Sequence, residues 1–467
     1  MELTNLILAI IYYVLMIPTL FLACYYCVFA IISLFAGKQK YELVEDKLRF
    51  CIFVPCHNEE DVIAATVKNL AKITYNPDLF DIFFIADNCN DNTAERVREV
   101  ITALDIKNFH ALERHESNPK KRGKPHAMRW GIDLLEKDDA FYNKYDMFMI
   151  FDADNFVDAD ILTHMNSQYL SYPEDKRPVM IQAYLDSKNK NNIIARGYYV
   201  AYRYTNRFFQ LARHKLGLVP GIGGTGFATS TTFLKNIGGY NCSSLVEDLE
   251  FETVATMHGQ TIAYNHNVRI YDEKPTGLVA SAVQKTRWCQ GHWYIYFKYG
   301  WRLLFKMFNP REIKLIFKRF DNLIHLSTLV FMLLSFTVAA YQIVIDILKL
   351  WIPGLGYAQY VPTGLWISCT CLFVFSILLF PISSLLDGTP KEKKAVLIEF
   401  IPNLIATVVM VAVYYYSNIV GLLHWKNQTV WKKTAHKVTT MEESVIPPAT
   451  KDDATVHTLV GGNGSND

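Results

Sequence analysis

At 467 residues the chain is long enough for more than one domain, and 51% of it is apolar, but those residues gather towards its two ends. A formal net charge of +2 at pH 7, with no basic stripe interleaved with aromatics, argues against nucleic acid as a partner. Of the nine cysteines, the five in the central segment (Cys51, Cys56, Cys89, Cys242, Cys289) carry no C-x-x-C spacing, which excludes a spaced zinc site and a disulfide framework there.

From Leu3 to Gly37 no residue is charged. About 20 apolar residues span a bilayer, so this stretch reads as one long span with Pro18 as a possible kink point. It lacks the basic start and short apolar core of a secretory signal and is expected to be retained. Between Gln39 and Asn322 the chain is mixed and charged, as a soluble domain is. Lys38 and Lys40 after the first span, and Lys314, Lys318 and Arg319 before the next, put that domain on the cytosolic side of a plasma membrane.

Phe50–Pro55 and Asp81–Ala86 are short apolar runs ended by Pro55 and by the Asp87-Asn88-Cys89-Asn90-Asp91 cluster, and they read as parallel strands. Asp61 to about Ile73 reads as the helix between them, with acidic residues at its start. Ligands bind at the carboxyl ends of such strands, so Asp87 is placed to accept hydrogen bonds from a uracil or ribose. The basic, glycine-bearing run Pro119–Pro125 precedes a helix, and Lys124 with the backbone amides there suits a diphosphate.

The strand Met147–Phe151 delivers Asp152 and Asp154. Two carboxylates one residue apart can present oxygens to a Mg²⁺ or Mn²⁺ that bridges a sugar nucleotide's diphosphate. Alone, the pair is as readily a turn after a strand. Arg196–Leu216 is a helical pattern to which the residues assign no chemistry. Gly221–Phe227, with Gly224 and Thr225 at its centre, reads either as a loop whose backbone approaches a growing sugar chain closely or equally as a tight turn. Asp248, beside Glu247, is a candidate general base for an acceptor hydroxyl. Gln284-Lys285-Thr286-Arg287-Trp288 offers a guanidinium fork for phosphate and an indole face for a hexose.

Trp293–Phe320, broken at Pro310, suits helices lying in the membrane interface. Leu323–Ile345 and Leu365–Leu386 are clear spans. Leu397–Trp425 either crosses or, broken at Pro402-Asn403, is re-entrant or interfacial with both ends cytosolic; the second is preferred. The expected division is therefore 1–37 membrane helix, 38–292 catalytic domain, 293–322 interfacial helices, 323–425 membrane region, 426–445 closing loop and 446–467 disordered tail.

The order Asp87, Asp152-x-Asp154, Glu247-Asp248, Gln284-x-x-Arg287-Trp288 resembles, over Phe50 to Trp293 and more loosely to Lys437, the membrane-bound processive family 2 glycosyltransferases such as cellulose, hyaluronan and chitin synthases. The resemblance implies an α/β GT-A domain combined with transmembrane and interfacial helices. It also implies a metal-bound UDP-sugar donor and inversion to a β-linkage. By position, Asp87 would contact uridine, Asp152 and Asp154 the metal and diphosphate, Gln284 and Arg287 the diphosphate, Asp248 would be the base, and Trp288 the acceptor platform. Trp431-x-x-Thr434-x-His436-Lys437 looks like the loop that closes over UDP. The expected product is a β-glucan, cellulose-like or mixed β-1,3/β-1,4, made from UDP-glucose and secreted. An N-acetylhexosamine polymer is less favoured because no residue reads a 2-acetamido group. Single transfer to a lipid acceptor and a non-enzymatic channel or receptor are the alternatives. The few spans suggest an accessory subunit or a second copy alongside the bilayer and the growing β-glycan.

Overall fold

The computed structural model describes residues 1–37, 39–137, 141–242, 244–388, 390–394, 396–428 and 440. After a first helix, α1 (Glu2–Phe35), the chain builds β1 (Phe50–Cys56), α2 (Ile63–Leu70), β2 (Phe80–Asp87), α3 (Thr93–Ala103), β3 (Phe109–Arg114), α4 (Lys124–Glu136) and β4 (Met147–Ile150). Then come β5 (Phe156–Val157), β6 (Met180–Ser187), α5 (Ile193–Tyr204), β7 (Phe227–Ser230), α6 (Glu247–Met257) and β8 (Ile262–Asp272). The strands form one mixed sheet in the order β3-β2-β1-β4-β7-β6-β8-β5. β3, β2, β1 and β4 are mutually parallel, and β7 enters antiparallel to both β4 and β6. This is the α/β GT-A arrangement.

Both faces of the parallel half are covered, which explains its near-continuous apolar strands. Alternate side chains part to opposite sides: Phe50, Ile52 and Val54 join one core with Met147 and Met149, whereas Cys51 and Phe53 join another with Phe148 and Ile150. β1 and β4 share a register that sets Phe53 against Ile150, so both strands end at one edge and Asp152 emerges there.

The longer helices after α7 (Leu278–Met307) are α8 (Ile316–Leu326), α9 (Thr328–Lys349), α10 (Thr363–Leu386) and α11 (Val396–Leu423). Helices α1, α9, α10 and the stretch Ile398–Leu423 of α11 are long and apolar enough to cross a membrane. α1, α9 and α10 each bring one end to the catalytic domain. There Arg207 donates to the Ala36 carbonyl at 3.3 Å and Tyr184 donates to Asp387 at 3.2 Å, while Tyr26 of α1 and Thr328 of α9 join the two helices to each other at 3.1 Å. At their other ends Asn5 bonds Gly354 and Gly356, both at 2.9 Å.

Two expectations are corrected. The boundary at 292/293 falls inside α7, because His292-Trp293 carries no breaker and the helix runs on to Met307, followed by a 3₁₀ turn at Pro310–Leu315. Pro402 does not break α11: the helix runs through it from Val396 to Leu423, the proline forgoing only the hydrogen bond to the Ile398 carbonyl. α11 nevertheless touches the catalytic domain along its length. Glu399 pairs with Arg196, Ser417 donates to the Ala282 carbonyl at 3.3 Å, Trp293 donates to Asn418 at 2.8 Å, and Leu245 donates its N–H to Gln428 at 2.8 Å. The opposite side is an exposed stripe of Ile398, Ile401, Ile405, Val408, Ile419 and Leu423. Close approach requires Gly421, where a Cβ would stand 2.7 Å from the Cys289 Cβ and 2.8 Å from the Gln290 nitrogen.

Candidate active site

At the carboxyl edge of the parallel strands the chain leaves a cavity of about 1080 Å³. Asp87, Lys124, Asp152, Asp154, Gly224, Thr225, Glu247, Asp248, Gln284, Arg287 and Trp288 all line it. Trp431, Thr434 and Lys437 lie outside the described residues.

At the β2 end, Asp87 is held before any ligand arrives. Arg114 donates to its Oδ1 at 2.6 Å and Asn88 at 2.7 Å, while the Gly123 N–H donates to Oδ2 at 3.0 Å. Both carboxylate oxygens of Asp87 are thus engaged within the protein, which fixes the orientation of the side chain at the cavity wall. Arg114 carried no motif; it is found only because β3 pairs with β2 and sets it opposite Asp87.

Lys124, in the first turn of α4, donates from Nζ to Asp152 Oδ1 and to the Gly224 carbonyl, each at 2.6 Å, with Glu247 at 3.5 Å. These neighbouring carboxylates outweigh its desolvation and push its pKa above the ordinary lysine value. Asp154 accepts the Glu273 N–H at 2.8 Å. Among the described residues no three His, Cys, Asp or Glu side chains group as a metal cage. A Mg²⁺-like ion needs only one or two carboxylates when substrate phosphates complete its shell, and Asp152 with Asp154 on the cavity wall fits that donor set.

The glycine loop is fixed from beneath. Gln210 exchanges two hydrogen bonds with Gly221 at 2.6 and 2.7 Å, and Gln182 accepts the Gly223 N–H at 2.9 Å. Thr225 Oγ1 accepts the Asp152 N–H at 3.1 Å, tying this loop to the end of β4. Gly224 has φ +77°, and a Cβ there would lie 3.1 Å from Asp248 Oδ2. Glycine thus satisfies the left-handed backbone and keeps the space before Asp248 clear.

Asp248, in the first turn of α6, has its carboxyl pKa pushed up to about 7, first by burial and then by Glu247 beside it. On α7, Gln284, Lys285 and Trp288 face the cavity. The buried Gln284 Oε1 finds no hydrogen-bond partner among the described residues. Lys285, unassigned from the sequence, is boxed by aromatic rings: its Nζ stands 4.2 Å from the Trp288 ring, 4.4 Å from Tyr198 and 5.1 Å from Tyr414. Burial, then nearby Lys274, lower its pKa to about 7.

The helical region after β6, given no chemistry above, supplies the cavity's far wall with Tyr202, Phe209, Gln210 and Arg213. Beyond these the space reaches Tyr26 of α1 and Thr328 and Leu329 of α9. Arg213 is buried and held there by Asp321 of α8, its Nε lying 2.9 Å from Oδ2. Sequence spacing offers no sign of this wall, because its members meet only through tertiary packing.

The family model described as glycosyltransferase like family 2 matches residues 48–291. Among curated relatives, the probable glycosyltransferase YdaM of Bacillus subtilis is 20% identical over 84% of this chain and 88% of its own. The beta-monoglucosyldiacylglycerol synthase of Nostoc is 26% identical over 58% of this chain, and the glucomannan 4-beta-mannosyltransferase 1 of Cyamopsis tetragonoloba 23% over 56%. The chain spans about half the length of these last two, 55% and 48%. The solved mannosyltransferase PcManGT of Pyrobaculum calidifontis, in complex with GDP-Man and Mn²⁺, superposes with a TM-score of 0.53 at 17% identity, covering 81% of this chain and 98% of that one. With the family model matched over more than half its length, the chain belongs to the family 2 glycosyltransferases and is an enzyme of that class.

Proposed function

We propose that the enzyme is a processive, inverting hexosyltransferase that takes a UDP-hexose, assigned here as UDP-glucose, and extends a secreted β-glycan at the plasma membrane. The observation that carries this reading is the single cavity running from Asp87 past Asp248 and Trp288 to Tyr26 and Thr328 at the membrane helices. Its far wall, with Tyr26, Gln210, Arg213 and His325, mixes rings with hydrogen-bonding groups, as a sugar chain requires and an acyl chain does not.

In this mechanism Asp248 accepts the proton of the acceptor hydroxyl as its oxygen attacks the anomeric carbon from the face opposite the diphosphate. The carbon–phosphate-oxygen bond breaks and UDP departs with the bonding pair. Asp152 and Asp154 would hold a divalent ion, which when bound neutralises the leaving diphosphate. Lys124 and Arg287 add fixed positive charge on either side of that group, and Trp288 carries the acceptor sugar ring. Asp87, kept rigid by Arg114, orients the nucleoside.

Topology follows the same reading. α1, α9 and α10 cross the bilayer with the catalytic domain cytosolic. α11, whose two ends both contact that domain, lies in the interface with its apolar stripe towards the lipid. Three crossing helices are few to enclose a glycan, so a second copy or an accessory subunit completes the path.

A second reading, single transfer to a lipid, is supported by an apolar groove beside the cavity. The two part on product length. Membranes containing the enzyme, given Mg²⁺ or Mn²⁺ and each common UDP-sugar, are expected to release UDP with one donor and to form a polymer that linkage-specific glycosidases digest. A glycolipid bearing one sugar would overturn the processive reading, and no UDP release with any donor would overturn both.

A further inference from the structure

The second large space is a groove of about 830 Å³ between α7 and α11. Its walls change character along both helices in the same direction. On α7 they pass from Leu278 and Val283 to Arg287, and on α11 from Val409 and Val413 to His424. The apolar end is open: Leu278 and Val283 are exposed, and the groove adjoins the exposed stripe of α11 at Val408. Arg287 lines both this groove and the catalytic cavity. An apolar slot with a cationic end, set beside a membrane-facing stripe and of a size that takes one ligand, matches an amphiphile with a negative head.

We propose that the groove seats one anionic glycerophospholipid of the bilayer, with an acyl chain along Leu278, Val283, Val409 and Val413 and its phosphate at Arg287 and His424. Held from the groove side, the Arg287 fork is positioned to present its remaining N–H groups to the donor diphosphate, so bilayer composition reaches the active site through one guanidinium. The inference rests on the in-plane placement of α11 proposed above.

The full-length protein, purified in mild detergent, is examined by native mass spectrometry and then reconstituted in vesicles of phosphatidylcholine with or without phosphatidylglycerol. We expect one retained anionic phospholipid per chain and UDP release raised about fivefold by phosphatidylglycerol, the worth of one well-placed cation near an anionic headgroup. Ala412→Trp, at an exposed groove position, fills the slot. It should abolish both effects while leaving UDP release in pure phosphatidylcholine vesicles at the wild-type level. His424→Glu, also exposed, should remove the phosphatidylglycerol response and serves as the check if the tryptophan variant folds poorly.

Equal lipid retention and equal stimulation in wild type and both variants would overturn the proposal, since that pattern reports only general surface charge. Polymer made at the same rate in both vesicles, with no lipid retained, would sink the inference and spare the processive reading. A retained lipid that leaves with a sugar attached would sink both.

Discussion

The two ends of the catalytic cavity are built by different means. At the proposed nucleotide end the carboxylates are engaged by a neighbouring strand, a loop and a helix start: Asp87 by Arg114 and Gly123, and Asp152 by Lys124, while the Asp152 N–H is accepted by Thr225. At the acceptor end the wall is made of helices far apart in sequence, with Lys285 of α7 boxed by Tyr198 of α5 and Tyr414 of α11. One end is preorganised by the sheet and the other by helix docking, so the two should fail separately.

The largest expected effect lies where they meet. Asp248→Asn should keep UDP-sugar binding, read by calorimetry, while transfer falls about 10²–10⁴-fold, the usual worth of a general base. Normal turnover would show that the proton goes elsewhere. Gly421→Val tests the acceptor end alone: overpacking against Cys289 and Gln290 should cost about 1–3 kcal/mol, seen as a lower Tm, and product length should shorten with donor affinity intact. If donor affinity falls as well, the two ends are not independent. Trp288→Ala should reduce polymer formation about fivefold with little change in donor KM, since a lost ring stacking is worth about 1 kcal/mol beyond its buried area.

The mildest test is pH. The Asp248 carboxyl, raised to about 7, must be ionised to accept a proton. Turnover is therefore expected to be full above that pH and to decline as pH falls through it, and this acid limb should vanish from the residual activity of Asp248→Asn.

The same division explains what could be read from the residues. Phe50–Pro55 and Asp81–Ala86 are legible as strands because parallel strands covered on both faces are continuously apolar. The acidic pair at Asp152 is legible because it directly follows such a run. Gln182 and Gln210 were not, although they fix the glycine loop, because an amide pinning a distant backbone leaves no local pattern. Nor was the docking of α11: Glu399 meets Arg196 across 203 positions, and hydropathy alone could not separate a helix that crosses from one that lies flat.

The contacts of α1 carry a consequence for biogenesis. Its first turns bond Gly354 and Gly356, and its Tyr25 donates to Asp321 at 2.8 Å. At ribosomal speeds of about 5–20 residues per second, roughly 20–70 s separate the emergence of Asn5 from that of Gly354. As a proposed span, α1 therefore waits in the bilayer without these partners for Asn5 and Tyr25 until about three quarters of the 467 residues have been made. An insertion factor that shields polar groups in lipid during that interval should raise the yield of assembled enzyme, and the waiting helix is where premature termination would leave a membrane-bound fragment for proteolysis.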